Sequence, residues 1–192
     1  MRMSSTTNAM TTLASKFLLN CQPDTQVTVE LISGSLSPGP TAQERSLVSF
    51  TAFHYNRTNA AAWSVYRESN WTVGAGGINP FTFGDDVLTV GGVTWSRTTN
   101  EVVISEYGNY YVYVSGATQP NRAFGLTVHR NGAGVFGVYR TSSIYNGIDS
   151  LGHGLVMILN AGDRLKVVAD ANSAGYSIED RRHASFFGFL VV

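Results

Sequence analysis

Gly132-Ala-Gly-Val-Phe-Gly137 carries the G-x-G-x-x-G spacing of a dinucleotide-binding turn. That chemistry needs a strand before the glycines and a helix after them, whose N-terminus takes the pyrophosphate. Here Leu126 to Arg130 precedes the glycines, and strand-forming Val135 to Tyr139 follows in place of a helix. Asn131-Gly132 between the two runs is a hairpin signal, because a tight primed turn needs positive φ at both central positions. The glycines are therefore expected in a β-hairpin. The four His residues (His54, His129, His153 and His183) lack metal-ligand spacing, and the single Cys21 lies remote from them in sequence, so no zinc site is indicated. His129 and His183 sit within or beside expected strands and read as packed or surface residues. Gly152-His153-Gly154 presents an isolated His with no nucleophile to serve, and the chain has no G-x-S-x-G elbow.

Carboxylates offer a little more. Asp85, Asp86, Asp149, Asp163, Asp170, Glu179 and Asp180 fall at expected strand ends, where oxygen-rich loops can hold Ca²⁺. The dense D-x-D-x-D-G pattern is absent, so solvated turns are the better reading, and Asp163 is expected to accept hydrogen bonds from turn amides around Gly162. Asn56-Arg-Thr58 and Asn70-Trp-Thr72 are formal glycosylation sequons in a chain rich in Asn and Thr. No catalytic residue is assigned, and no metal or organic cofactor is expected.

The elements that would position these residues are strands. From Leu47 onward short β-type runs arrive at regular intervals with turn residues between them. Expected strands cover 47–55, 62–65, 81–87, 92–96, 101–104, 108–114, 123–130, 134–140, 151–159, 164–169 and 184–192. Three of these do not alternate as a half-buried strand should: Tyr110 to Val114, Leu155 to Leu159, and Ala184-Ser-Phe-Phe-Gly-Phe-Leu-Val-Val192. Both faces of such strands want cover, and a single antiparallel sandwich buries only one. The second buried surface is most economically another copy of the chain. All three runs are too short to span a membrane as helices.

The chain has 192 residues, enough for one sandwich plus an arm. Lys plus Arg and Asp plus Glu are 13 each, and this neutrality argues against nucleic acid as a partner. Cys21 alone cannot form an intramolecular disulfide. Phe17-Leu-Leu19 is the longest apolar run near the start, well short of a secretory signal, so synthesis in a cytosol is expected. Residues 1–46 read as an arm and linker. Val27, Val29 and Leu31 alternate with polar neighbours as one edge strand, and the breakers of Ser33 to Pro40 follow it. An arm with one strand and no core is disordered or folded onto a partner.

Gly108-Asn-Tyr-Tyr-Val112 resembles the G-x-Y-x-F strand of C1q-like domains, which share a jelly roll with the tumour-necrosis-factor superfamily. Asn131-Gly132, Leu159-Asn-Ala-Gly-Asp-Arg-Leu165 and Phe186-Phe-Gly-Phe-Leu190 follow in that family's order at similar spacing, while Ser49-Phe-Thr-Ala52 and Phe81-Thr-Phe-Gly84 are similar to its opening strands. The resemblance covers roughly 47–192. It implies an all-β, antiparallel jelly-roll sandwich of about ten strands and a compact trimer. No Gly-x-y collagen stalk accompanies it.

Together these readings favour a non-enzymatic homotrimer. Its threefold contact is expected at Tyr111, Tyr113, His153, Leu155 and Phe186. The arm, through Val27, Val29 and Leu31, is expected to dock on a capsid or other particle surface protein, as in a viral or phage decoration or spike trimer. The alternative is a secreted, extracellular C1q-like protein that binds carbohydrate or a receptor through apical loops. An enzyme would need a constellation the sequence does not display.

Overall fold

The computed structural model describes residues 24–26, 60–67, 71–73, 77–84, 87–118, 123–140, 149–171, 176–178 and 184–191. The expected strand at 47–55, and the arm apart from 24–26, lie outside them. The described elements are all strands: β1 (Ala62–Arg67), β2 (Trp71–Val73), β3 (Gly77–Pro80), β4 (Val87–Val90), β5 (Val93–Ser96), β6 (Glu101–Ile104), β7 (Gly108–Thr118), β8 (Phe124–Arg130), β9 (Ala133–Arg140), β10 (Asp149–Leu159), β11 (Arg164–Ala171), β12 (Tyr176–Ile178) and β13 (Ala184–Val191).

One sheet has the order β10-β7-β13-β1-β4. The second runs β5-β6-β11-β8-β9, with β3 pairing the far end of β11, and β12 with β2 forms a two-stranded ribbon. Every pairing is antiparallel. Strands adjacent in sequence are often far apart in a sheet, so the chain crosses repeatedly from one layer to the other, as a jelly roll requires. The crossing is visible at Phe81 to Gly84. Phe81 N donates to Val167 O of one sheet, and Gly84 N donates to Tyr66 O of the other.

The expected single strand at 81–87 is corrected by this crossing. β3 ends at Pro80, and β4 begins only at Val87, on the opposite sheet. Phe81 and Phe83 instead turn their rings into the core, where they meet edge to face at 4.9 Å. The hairpin expectation holds. Asn131 and Gly132 have φ of 52° and 87° between β8 and β9, so the G-x-G-x-x-G glycines lie in a turn and strand with no helix behind them.

Between the sheets lies one continuous core. Trp63, Phe81, Tyr110, Phe124, Phe186, Leu126, Leu159 and Leu165 are fully buried in it. The side-chain period of two dictates which residues of each strand enter this layer. On β13 these are Phe186, Gly188 and Leu190, opposite Val114, Val112 and Tyr110 of β7. Their immediate neighbours point the other way, and most of these are apolar too.

Candidate functional site

The outward face of the five-stranded sheet can be read row by row from the register. Ser185, Ser115 and Gly152 stand side by side on β13, β7 and β10, with Tyr66 of β1 beyond. The next row is Ser64, Phe187, Tyr113 and Gly154. Then come Ala62, Phe189, Tyr111 and Val156, and finally Val191, Asn109 and Ile158. No charged residue stands in these rows.

The chemistry grades along the strands. At one end Ser115 Oγ and Ser185 Oγ share a buried hydrogen bond of 2.7 Å, which satisfies two hydroxyls that would otherwise be costly to bury. Four aromatic rings fill the middle. Tyr113 and Phe187 lie 5.1 Å apart, Tyr111 and Phe187 6.1 Å, and Tyr111 and Phe189 5.5 Å, all tilted. Burial, then the neighbouring Tyr111, push the Tyr113 phenol above its ordinary pKa, against a hydrogen bond with Ser115 that lowers it. The tyrosines lean over β10, which is why that strand carries glycines: a methyl group at Gly152 would overlap the Tyr113 hydroxyl, and one at Gly154 would lie 2.7 Å from the Tyr111 hydroxyl.

The face is unevenly covered. Within a single chain Tyr113 and Phe187 are each 4% exposed and Phe189 9%, whereas Val156 and Ile158 on the edge strand β10 are 57% and 54% exposed. β10 ends one sheet and β9 the other, so the two edges border one side of the sandwich. His153 bridges them with its ring edge-on to Phe136, at 5.8 Å. On the outward face of β9, Val135 and Tyr139 are also largely exposed.

A polar hub anchors the far end of β10. Asp163, 6% exposed, receives the Asn160 backbone N–H and Asn131 Nδ2, each at 2.7 Å. Arg130 Nη2 meets Asp163 Oδ2, the oxygen that also accepts from the Asn160 amide, at 2.7 Å, and Arg130 Nη1 donates to Ile158 O at 3.1 Å. Asn131 Oδ1 in turn accepts from Arg164 N. Burial alone would raise the Asp163 pKa, but the amide donors and the Arg130 charge outweigh it and hold the carboxyl below its ordinary value. The sequence pointed to turn amides for Asp163 but missed Arg130 and Asn131, which only the sheet register brings there.

Of the residues expected at the threefold contact, Tyr111 and Tyr113 stand on the outward face. His153 and Leu155 stand on the opposite side of β10, at its margin with β9, where His153 is exposed and Leu155 half-buried. Phe186 is corrected. It has no exposed surface and packs in the sandwich core on Trp63 at 5.6 Å and Phe83 at 5.9 Å; Phe187, one position on, faces outward. In a run of consecutive apolar residues, composition does not reveal which parity faces in. Val27, Val29 and Leu31 lie outside the described residues, as do Asp85, Asp86, Glu179, Asp180, His54 and His183. Among the described residues no group of three or more His, Cys, Asp or Glu could hold a metal ion.

No family model matches the chain, and no curated protein matches its sequence. Solved structures do match in shape. The structure of Eiger TNF from S. frugiperda superposes with a TM-score of 0.57 at 18% identity, over 71% of this chain and 94% of that one. Murine APRIL at pH 5.0 does so at 0.53 and 18%, over 69% and 99%, and at pH 8.5 at 0.51 and 17%, over 69% and 98%. The fold is the TNF-like jelly roll. In that jelly roll β7, β10 and β13 lie side by side, which places the Tyr111 to Val114, Leu155 to Leu159 and Phe186 to Leu190 runs together in one sheet. Among the described residues no helix is long and apolar enough to cross a membrane.

Proposed function

We propose that this chain is a non-enzymatic homotrimer that works by binding, with the outward face of the five-stranded sheet turned toward its neighbours. The observation that carries the reading is the exposure of Val156 and Ile158 on an edge strand, beside four aromatic rings in rows that bear no charge among the described residues. A long apolar edge left open is an aggregation hazard, and a closed ring of copies removes it. Closing a threefold ring needs two different patches per copy. The β10 strip with Tyr111 supplies one, and the β9 margin with His153 and Leu155 supplies the other.

The finer reading places the trimer on a virion or other particle surface, docked through residues 1–46. Its support is the sequence of that segment: one alternating strand at Val27, Val29 and Leu31, then a run of breakers. Strand addition to a neighbour's sheet edge would supply the backbone hydrogen bonds that a lone strand lacks. The likeness to Eiger TNF and APRIL favours a second reading, an extracellular protein that recognises a carbohydrate or receptor. Removing residues 1–40 separates the two. The particle reading expects a trimer of nearly full thermal stability that no longer incorporates into its particle. Unchanged incorporation, or an unfolded trimer, would remove the docking arm from the account.

A further inference from the structure

We infer that Asn131 is a deamidation site that the Asp163 hub holds shut, so that the turn between β8 and β9 keeps its amide only while it stays docked on the start of β11. The chemistry is intrinsic to an Asn-Gly pair. The Gly132 backbone nitrogen attacks Asn131 Cγ, and the new C–N bond closes a cyclic imide. The Cγ–Nδ2 bond breaks, and Nδ2 leaves as ammonia with the proton that the backbone nitrogen gives up. Water then opens the imide at either carbonyl and leaves an aspartyl or an isoaspartyl residue. Nothing about the turn's surface prevents this. Asn131 and Gly132 are both exposed, and a methyl group on Gly132 would meet nothing within 4 Å.

Hydrogen bonds provide the protection that burial does not. Asn131 N donates to Arg164 O at 2.9 Å, Asn131 Oδ1 accepts from Arg164 N at 2.9 Å, and Asn131 Nδ2 donates to Asp163 Oδ1 at 2.7 Å. Main chain and side chain of one residue are thus tied to the step between Asp163 and Arg164. Ring closure requires Cγ to swing onto the Gly132 nitrogen and Nδ2 to depart, so the bonds of the side-chain amide must break first. The bond to Asp163 is the stronger kind, because its acceptor is a carboxylate. Asp163 cannot follow the amide outward, since it is 6% exposed and the Asn160 amide and Arg130 hold its Oδ2.

The product does not fit back. Deamidation puts a carboxylate oxygen where Nδ2 stood, 2.7 Å from Asp163 Oδ1, and two carboxylates that close resist ionising together. The neighbouring guanidiniums are already engaged, Arg130 at Asp163 Oδ2 and Arg164 at Glu101, 3.2 Å away. The isoaspartyl form also adds a methylene to the main chain in a tight turn. A chain that opens here and reacts is therefore marked permanently, whatever its oligomeric state.

The test incubates the full chain in warm neutral buffer and follows conversion by mass spectrometry of the tryptic peptide 131–140, in which Asn131 is the sole amide side chain. Folded wild type should convert roughly tenfold or more slowly than the same chain unfolded in guanidinium chloride, the factor that one charge-assisted hydrogen bond amounts to. Equal rates overturn the inference. Asn146-Gly147, a second Asn-Gly pair that lies outside the described residues, calibrates the intrinsic rate in the unfolded sample. Two variants then separate the hub from folding in general, with circular dichroism reporting that each is folded. Asp163→Ala removes the tie and should bring the folded-state rate close to the unfolded one. Phe187→Ala weakens the fold without touching the turn and should stay near wild type. Equal acceleration in both overturns the hub's part. Should Asp163→Ala fail to fold, the comparison of folded with unfolded wild type still decides, together with Asn131→Asp, which is the aspartyl product made directly. That variant should denature at a lower guanidinium chloride concentration than wild type at neutral pH, and an equal or higher midpoint contradicts the permanent mark.

Discussion

Phe186 and Phe187 are chemically identical neighbours on one strand that serve different surfaces. Phe186 lies between two sheets that the same chain supplies, locked against Trp63 and Phe83. Phe187 lies on the opposite face among Tyr111, Tyr113 and Phe189, beside a strip of β10 that one chain leaves open. Residue type is therefore silent about role here. The strand's parity decides whether a phenylalanine enters the core between the sheets or stands on the outward face that we propose turns toward neighbouring copies.

The largest expected effect is on the inner face. Phe186→Ala should destabilise the protomer by about 3–5 kcal/mol, since the sandwich cannot close over a missing ring. Chemical denaturation would show this as a large fall in midpoint with little change in slope. If Phe186→Ala and Phe187→Ala fall equally and both leave assembly unchanged, the two-face distinction fails.

Asp163 comes next. Asp163→Ala removes the acceptor for Arg130, Asn131 and the Asn160 amide and leaves a guanidinium unpaired, for an expected loss of about 2–3 kcal/mol. The same hub predicts acid sensitivity. Its carboxyl titrates lower when folded than when unfolded, so its contribution is present above the ordinary Asp range and is lost as pH falls through the folded value. Wild-type stability should drop on the acid side below about pH 4, and that part of the drop should be missing from Asp163→Ala. A wild-type and variant difference that stays constant from pH 2 to 7 would contradict this.

Much of the fold was legible. Alternation and turn residues located β5 through β11 and β13 to within a few residues, and Asn131-Gly132 marked its hairpin because positive φ at two positions in succession has few other uses. The short strands β2, β3, β4 and β12 escaped, since three or four residues give no period to detect. The site was half legible. Its apolar runs announced two buried faces, but an unbroken string such as Phe186-Phe187 hides its own parity until a partner strand fixes the register. The Asp163 hub was invisible for a different reason: Arg130 and Asn131 lie more than thirty residues upstream and are brought in only by the pairing of β8 with β11.

On the outer face the effects on folding shrink. Phe187→Ala should cost about 1.5–3 kcal/mol, the value of one buried aromatic side chain. Val156→Lys and Ile158→Lys should change protomer stability by no more than about 0.5 kcal/mol, because both side chains are already more than half in water. These lysines should nonetheless abolish association, since each contact between copies would then bury an unpaired ammonium against an apolar margin.

That association is the central claim, and sedimentation equilibrium of the wild-type chain at micromolar concentration tests it most directly. The account predicts a species of three times 20.7 kDa, converted to well-folded monomer by Ile158→Lys. A wild-type chain that sediments as a folded 20.7 kDa monomer at that concentration would contradict it.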